Sequence, residues 1–253
     1  MKGFFNLSHL SAGFTTVLVG YTSSVVIVIQ AATASGANPT QIESWLLTLG
    51  VVMGLTSILY SWFYKTPIVT AWSTPAAVML AASAGQYSLP VVIGAFMFSG
   101  ALFTLTGMLA PLTRALSKIP VPLGTAMLGA ILLPFCAKAF TPLTDTPALF
   151  ALLFTSYLLA KHLVPRYTML VLLLVSLGSA LALGSFQHAD LALRIATPIW
   201  VMPEFDWLAI LNLALPLYLI TMLSQNLPGI AMLKSYQYDA PIKPILVGTG
   251  LAT

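Results

Sequence analysis

The chain has 253 residues, of which 58% are hydrophobic and only 6% charged, with a formal net charge of +4. Soluble domains carry about a quarter charged residues, so this chain cannot cover a water-facing surface and reads as an integral membrane protein. The ten-residue alternating segments of an outer-membrane barrel are absent, and the small net charge gives a nucleic acid little to bind.

Apolar runs of about 17–25 residues are long enough to cross a bilayer as helices. They fall at residues 10–34, 42–64, 66–85, 89–110, 120–138, 147–164, 167–186 and 207–232, and a ninth begins near 243. The fold class predicted is therefore an all-α polytopic membrane protein. The first run follows Lys2 and ends in AATASG at 31–36. It is too long for a signal-peptide core, and more spans follow, so it is read as a helix that stays. It carries Thr22, Ser23 and Ser24, then Gln30. Hydroxyls can bond their own helix backbone, so this cluster is a weaker site signal than Gln30.

The third run holds PIVTAWSTPAAVML at 67–80. Pro75 has no amide proton and disfavours a helical Thr74, while Ile68, Val69 and Thr70 tolerate extended chain. Thr74 suits an N-cap and Pro75 the first helical position. The expectation is extended chain to Thr74, then a short helix from Pro75 to about Ala84. Its N-terminus would lie inside the membrane, with free amides and the positive dipole end turned toward an anion. The competing reading is a proline-kinked span whose Ser73 and Thr74 repair the lost hydrogen bonds. Small residues such as Gly94, Gly100, Gly124 and Gly129 read as helix-packing positions.

The eighth run holds SQNLPGIAM at 224–232, with Gln225 and Asn226 ahead of a break expected at Pro228-Gly229. Amides inside a span usually face the bundle interior, either as a site or as an interhelical hydrogen bond. Before it, residues 187–206 form the longest connection, with Trp200 and Trp207 placed for an interface. The single cysteine, Cys136, excludes an intrachain disulfide, and His9, His162 and His188 have no metal-ligand spacing. No cofactor is expected. There is no phosphate loop and no nucleophile beside a base, so the chain reads as no enzyme.

Loop charge orients the spans. The N-terminus and alternate connections hold Lys2, Lys65, Arg114, Lys118, Lys161, Arg166, Lys234 and Lys243, eight of the ten basic residues. The others hold Lys138 and Arg194 together with five acids. The positive-inside rule then puts the N-terminus in the cytoplasm and the 187–206 connection outside. The first and eighth runs each place a small polar cluster mid-span. Seven spans separate them, as in an inverted repeat.

TAWSTP and SQNLPG, with GYTSSVVIVIQAA in the first run and VPRYTMLVLLL entering the seventh, closely resemble the bacterial benzoate/proton symporter family. The resemblance runs over the whole chain. It implies the seven-plus-seven inverted-repeat fold shared with nucleobase and sulfate carriers, in which spans three and ten are each part extended and part half-helix. Residues 1–186 would then be the first seven-span repeat, 187–206 an extracytoplasmic interfacial connection, and 207–253 the start of the second repeat. In nucleobase carriers the eighth span brings an acid to the substrate. Gln225 stands in that place here, and a neutral amide suits an anion better. The implied function is import of benzoate or a similar aromatic carboxylate with a proton. The amides after Thr74 would hold the carboxylate, helped by Ser73 and Thr74, with Gln225 and Asn226 beside it and Tyr21 and Trp72 packing on the ring. Ser24 and Gln30 complete the candidate set. Homodimers are common in the larger group. An anion-channel pathway is the alternative, as is a non-transporting remnant, because the chain stops inside the ninth span and would not be expected to transport at this length.

Overall fold

The computed structural model describes residues 7–109, 111, 126, 129–130, 133–134, 136–184, 195–239 and 241–253, apart from the side chains of residues 7–9, 11 and 166. Among them the regular structure is entirely helical. The principal helices are α1 (Leu7–Ala34), α2 (Pro39–Tyr64), α3 (Thr74–Ser83), α4 (Leu89–Met108), α5 (Pro147–Leu163), α6 (Thr168–Ala182), α7 (Trp207–Ser235) and α8 (Ile242–Ala252). Of these, α1, α2, α4 and α7 are long and apolar enough to cross a membrane, and α5, α6 and α8 are shorter apolar helices. The chain is a multi-pass membrane protein. Most of the expected fifth span, Gly124, and residues 185–194 lie outside the described residues.

Two compact units form. The first comprises residues 1–26 and 134–194. In it α5 packs against α6, and Phe150 stacks on Phe154 with centroids 5.6 Å apart. The second comprises residues 27–133 and 195–253, and holds the C-terminal part of α1 with α2, α3, α4, α7 and α8.

Local chemistry fixes the helix ends in the second unit. At the end of α1, Gly36 adopts φ +78°; its amide bonds the Thr33 carbonyl, and the Ala37 amide reaches back to Ala32. This is a Schellman closure, with Ala37 and Ala32 together in one apolar cluster. Asn38 then caps α2. Its side chain accepts the Gln41 amide at 2.9 Å, and Gln41 accepts the Asn38 amide at 2.9 Å. This capping box starts α2 at Pro39, three residues before the apolar run.

The main core joins α3, α4 and α7 through Ala76, Met79, Leu80, Val92, Ala95, Ala209, Leu213 and Leu217. Thr106 and Tyr218 bond at 2.6 Å between α4 and α7, and Ser99 donates to the Ala214 carbonyl at 2.8 Å. Gly100 meets α8 so closely that an added methyl would lie 2.7 Å from the Gly250 carbonyl oxygen, so this close helix approach requires glycine. Gly94 faces the Glu204 backbone of the connection instead of a helix, and no described residue comes within 4 Å of a methyl added at Gly129.

Candidate functional site

Residues 67–73 are not helical, and α3 begins at Thr74. The expected break is present, so the kinked-span alternative is overturned. Its cap differs by one residue. Ser73, in extended conformation, is the N-cap, and Thr74 and Pro75 are the first two helical residues. Ser73 has the short hydroxyl that a cap needs, and capping there leaves Thr74 free to enter the helix while Pro75 still falls where a missing amide costs nothing.

The extended stretch is held by α2 rather than by another strand. Ser61 accepts the Ile68 amide at 3.1 Å and donates to the Ile68 carbonyl at 2.8 Å. Ser57 accepts the Thr70 amide at 2.9 Å. The Trp72 amide points at the Met53 sulfur, 3.2 Å away. The Thr70 hydroxyl lies 2.6 Å from that of Thr56 and donates to the Met53 carbonyl at 3.0 Å. The match is geometric. Four residues of helix rise about 6.0 Å and two residues of extended chain about 6.6 Å, so Met53, Ser57 and Ser61 meet residues 72, 70 and 68 in turn. Side chains thus satisfy alternate backbone groups where no water can.

α7 completes the site without the expected break. The helix runs on through Pro228 and Gly229 to Ser235. It widens into π turns at Ile210–Ala214 and Met222–Asn226, each ending two residues before a proline, Pro216 or Pro228. A proline ring crowds the carbonyl four residues back and supplies it no amide; a wider turn relieves both problems while keeping the helix. The second π turn carries Ser224, Gln225 and Asn226. Gln225 Nε2 reaches the Trp72 carbonyl at a long 3.4 Å, tying α7 to the extended stretch, and Asn226 Nδ2 meets the Met222 sulfur at 3.1 Å. Sulfur is a weak acceptor, so both amides hold spare donor capacity. The Ser224 hydroxyl is buried with no hydrogen-bond partner among the described residues.

These elements line a half-open cavity of about 830 Å³ in the second unit. Ser73, Ala76, Ala77 and Leu80 of α3 line it, as do Trp72, Ser224, Gln225 and Asn226. Among the described residues no Asp, Glu, Lys, Arg or His side chain is in its wall, and the α3 N-terminus brings a positive dipole end to it. Ser73 Oγ takes the Ala76 amide only at 3.3 Å, which leaves that donor weakly used. Thr74 is half-buried and outside the wall, and Gln30 is exposed on α1. Tyr21 and Ser24 belong to the first unit, where Ser24 donates to the Gly20 carbonyl at 2.9 Å as helical serines do. The structure therefore brings Ser73, Trp72, Gln225 and Asn226 into one cavity wall. Among the described residues no three His, Cys, Asp or Glu side chains cluster as a metal site.

Sequence reasoning missed the ladder of Met53, Ser57 and Ser61 and the orphan Ser224. The ladder's signal was present as polar or soft side chains every four residues on one face of the second span.

Residues 3–253 match the family described as benzoate membrane transport protein. The chain belongs to that family. Its members are membrane transport proteins, not enzymes. It is 38% identical over 242 residues to the inner membrane protein YdcO of Escherichia coli K12, covering 96% of this chain and 62% of that protein. It is 32% identical over 253 residues to the benzoate membrane transport protein of Acinetobacter baylyi, covering 100% of this chain and 64% of that protein. The chain thus spans less than two thirds of the length of these curated relatives. No solved structure matches it.

Proposed function

We propose that this chain forms the substrate cavity of a secondary carrier that imports benzoate or a similar aromatic monocarboxylate, coupled to a proton, across the bacterial inner membrane. The observation that carries the reading is an uncharged cavity with a capped helix N-terminus in its wall. An anion there meets backbone amides and the positive dipole end. Among the described lining residues no carboxylate side chain repels it, and no basic side chain holds it too tightly to release. Ser73 and Thr74 begin the anion-binding turn, and Gln225 and Asn226 donate from the facing π turn. The family name and the named relative from Acinetobacter baylyi support the same substrate class.

The test is counterflow of labelled benzoate in vesicles carrying the protein expressed from its own gene, with and without an inward proton gradient. A carrier exchanges label against unlabelled substrate, and coupling makes uptake follow the gradient. Conductance without counterflow would favour a channel-like pathway, and neither activity would overturn the transport reading.

The proposed orientation keeps the N-terminus in the cytoplasm. A cysteine introduced at Gln187 should react with an impermeant reagent added outside, and one at Thr113 should not. The reverse pattern would overturn the orientation.

A further inference from the structure

A carboxylate at the α3 N-terminus leaves its ring to be placed. Trp45 of α2 and Phe96 of α4 both line the cavity, each half-buried. Their rings meet edge to face, with centroids 5.6 Å apart and planes at 89°. Both pack against the buried cluster that contains Ala76 and Leu80 of α3. Trp45 is braced again by the cluster of Ala32, Ala37 and Leu89. The pair is thus anchored on two long helices and shares its packing with the first turns of the helix whose N-terminus meets the anion.

We propose that Trp45 and Phe96 form the ring-binding wall of the cavity and set its preference for planar aromatic monocarboxylates over saturated ones. This assignment rests on the carboxylate reading of the α3 N-terminus. The distances fit. From Ser73 to Leu80 the cavity-lining face of α3 extends about 10 Å, enough for one ring beyond a carboxylate. On that face Ala76 and Ala77 are small and leave room for a flat group. A perpendicular ring pair offers one face and one edge, and a third aromatic ring can complement either through its own quadrupole; a saturated ring cannot. Among the described residues no charged side chain lies in the wall to pair with a second carboxylate on the ring, so burying one there is disfavoured.

The experiment compares competition by benzoate and by cyclohexanecarboxylate against labelled benzoate, in the wild-type protein and in Trp45→Leu and Phe96→Leu. Each substitution should lower the preference for benzoate over cyclohexanecarboxylate by about two- to twelve-fold, the value of one aromatic contact. Affinity for the saturated acid should hold within about two-fold, which also reports an intact fold. Trp45→Phe and Phe96→Tyr keep a ring and should keep the preference, so they carry the test if a leucine variant fails to insert. An unchanged ratio in the leucine variants, or equal loss for both acids, overturns the ring assignment alone. Wild-type protein that binds neither acid overturns the carboxylate reading with it.

Discussion

Two proline-bearing segments of the second unit resolve the same problem in opposite ways. At Pro75 the helix is broken, with extended chain before it and a fresh N-terminus after it. At Pro228 the helix continues, widened by one π turn. The proline is common to both, so it does not decide the outcome. What differs is the neighbour able to satisfy a freed backbone. Residues 68–72 lie along an α2 face that offers Ser61, Ser57 and Met53 at matching intervals, so the extended form leaves few orphans. No such ladder flanks residues 222–226 among the described residues; there the backbone keeps its own bonds, including Leu227 N–H to the Met222 carbonyl. In a membrane, a break forms where a partner is ready to accept it.

The sharpest way to break this contrast is to remove the ladder. Ser57→Ala with Ser61→Ala leaves the Thr70 amide and both polar groups of Ile68 without partners. At about 1–3 kcal/mol for each orphaned buried group, the double variant should lose about 3–9 kcal/mol of stability. Thermal unfolding in detergent measures it. Ser57→Thr keeps the hydroxyl and should remain near wild type. A double variant as stable as wild type would show that α2 does not hold the extended stretch.

A smaller effect is expected across the site. Gln225→Ala removes one donor to a charged ligand and the tie to Trp72. Benzoate affinity should fall about ten- to a hundred-fold, from roughly 1.5–3 kcal/mol per charge-assisted bond, with insertion unchanged. Asn226→Ala should act in the same direction. Isothermal titration separates these outcomes, and unchanged affinity in both variants would leave the two amides as packing groups.

The smallest effects belong to the prolines themselves. Pro75→Ala sits in the first turn, where no amide bond was lost, so stability should fall by only about 0.4–1 kcal/mol through greater freedom of the unfolded chain. Pro228→Ala returns an amide to the Ser224 carbonyl and removes the reason for the π turn. Its stability should rise or hold, while substrate affinity falls as Ser224, Gln225 and Asn226 rotate with the tightened helix. Chemical unfolding and binding, measured together, check this opposition.

The break at Pro75 was legible because every local preference agreed: β-branched residues, Ser-Thr ahead of Pro, then a run of helix formers. The cap fell one residue early because Ser73 and Thr74 are both good caps and local sequence ranks them closely. The break at Pro228-Gly229 was misread for a tertiary reason. A π turn depends on how the helix packs, and proline chemistry alone does not distinguish it from a break. Gln225 and Asn226 were readable because amides in an apolar run stand out. Ser57 and Ser61 were not, because a helical serine usually bonds its own backbone, as Ser24 and Ser235 do here. Trp45 and Phe96 sit in apolar runs, where an aromatic looks like any lipid-facing or core residue until the cavity is seen.

On the proposed function, the broken third span presents its new helix N-terminus to a carboxylate. Solid-state NMR tests it most directly, using protein labelled with ¹⁵N at Thr74 and Ala76 in lipid and benzoate labelled with ¹³C at the carboxyl. Dipolar coupling is expected between the carboxyl carbon and these amide nitrogens, lost on adding excess unlabelled benzoate. Saturable benzoate binding with no coupling to either amide would contradict it.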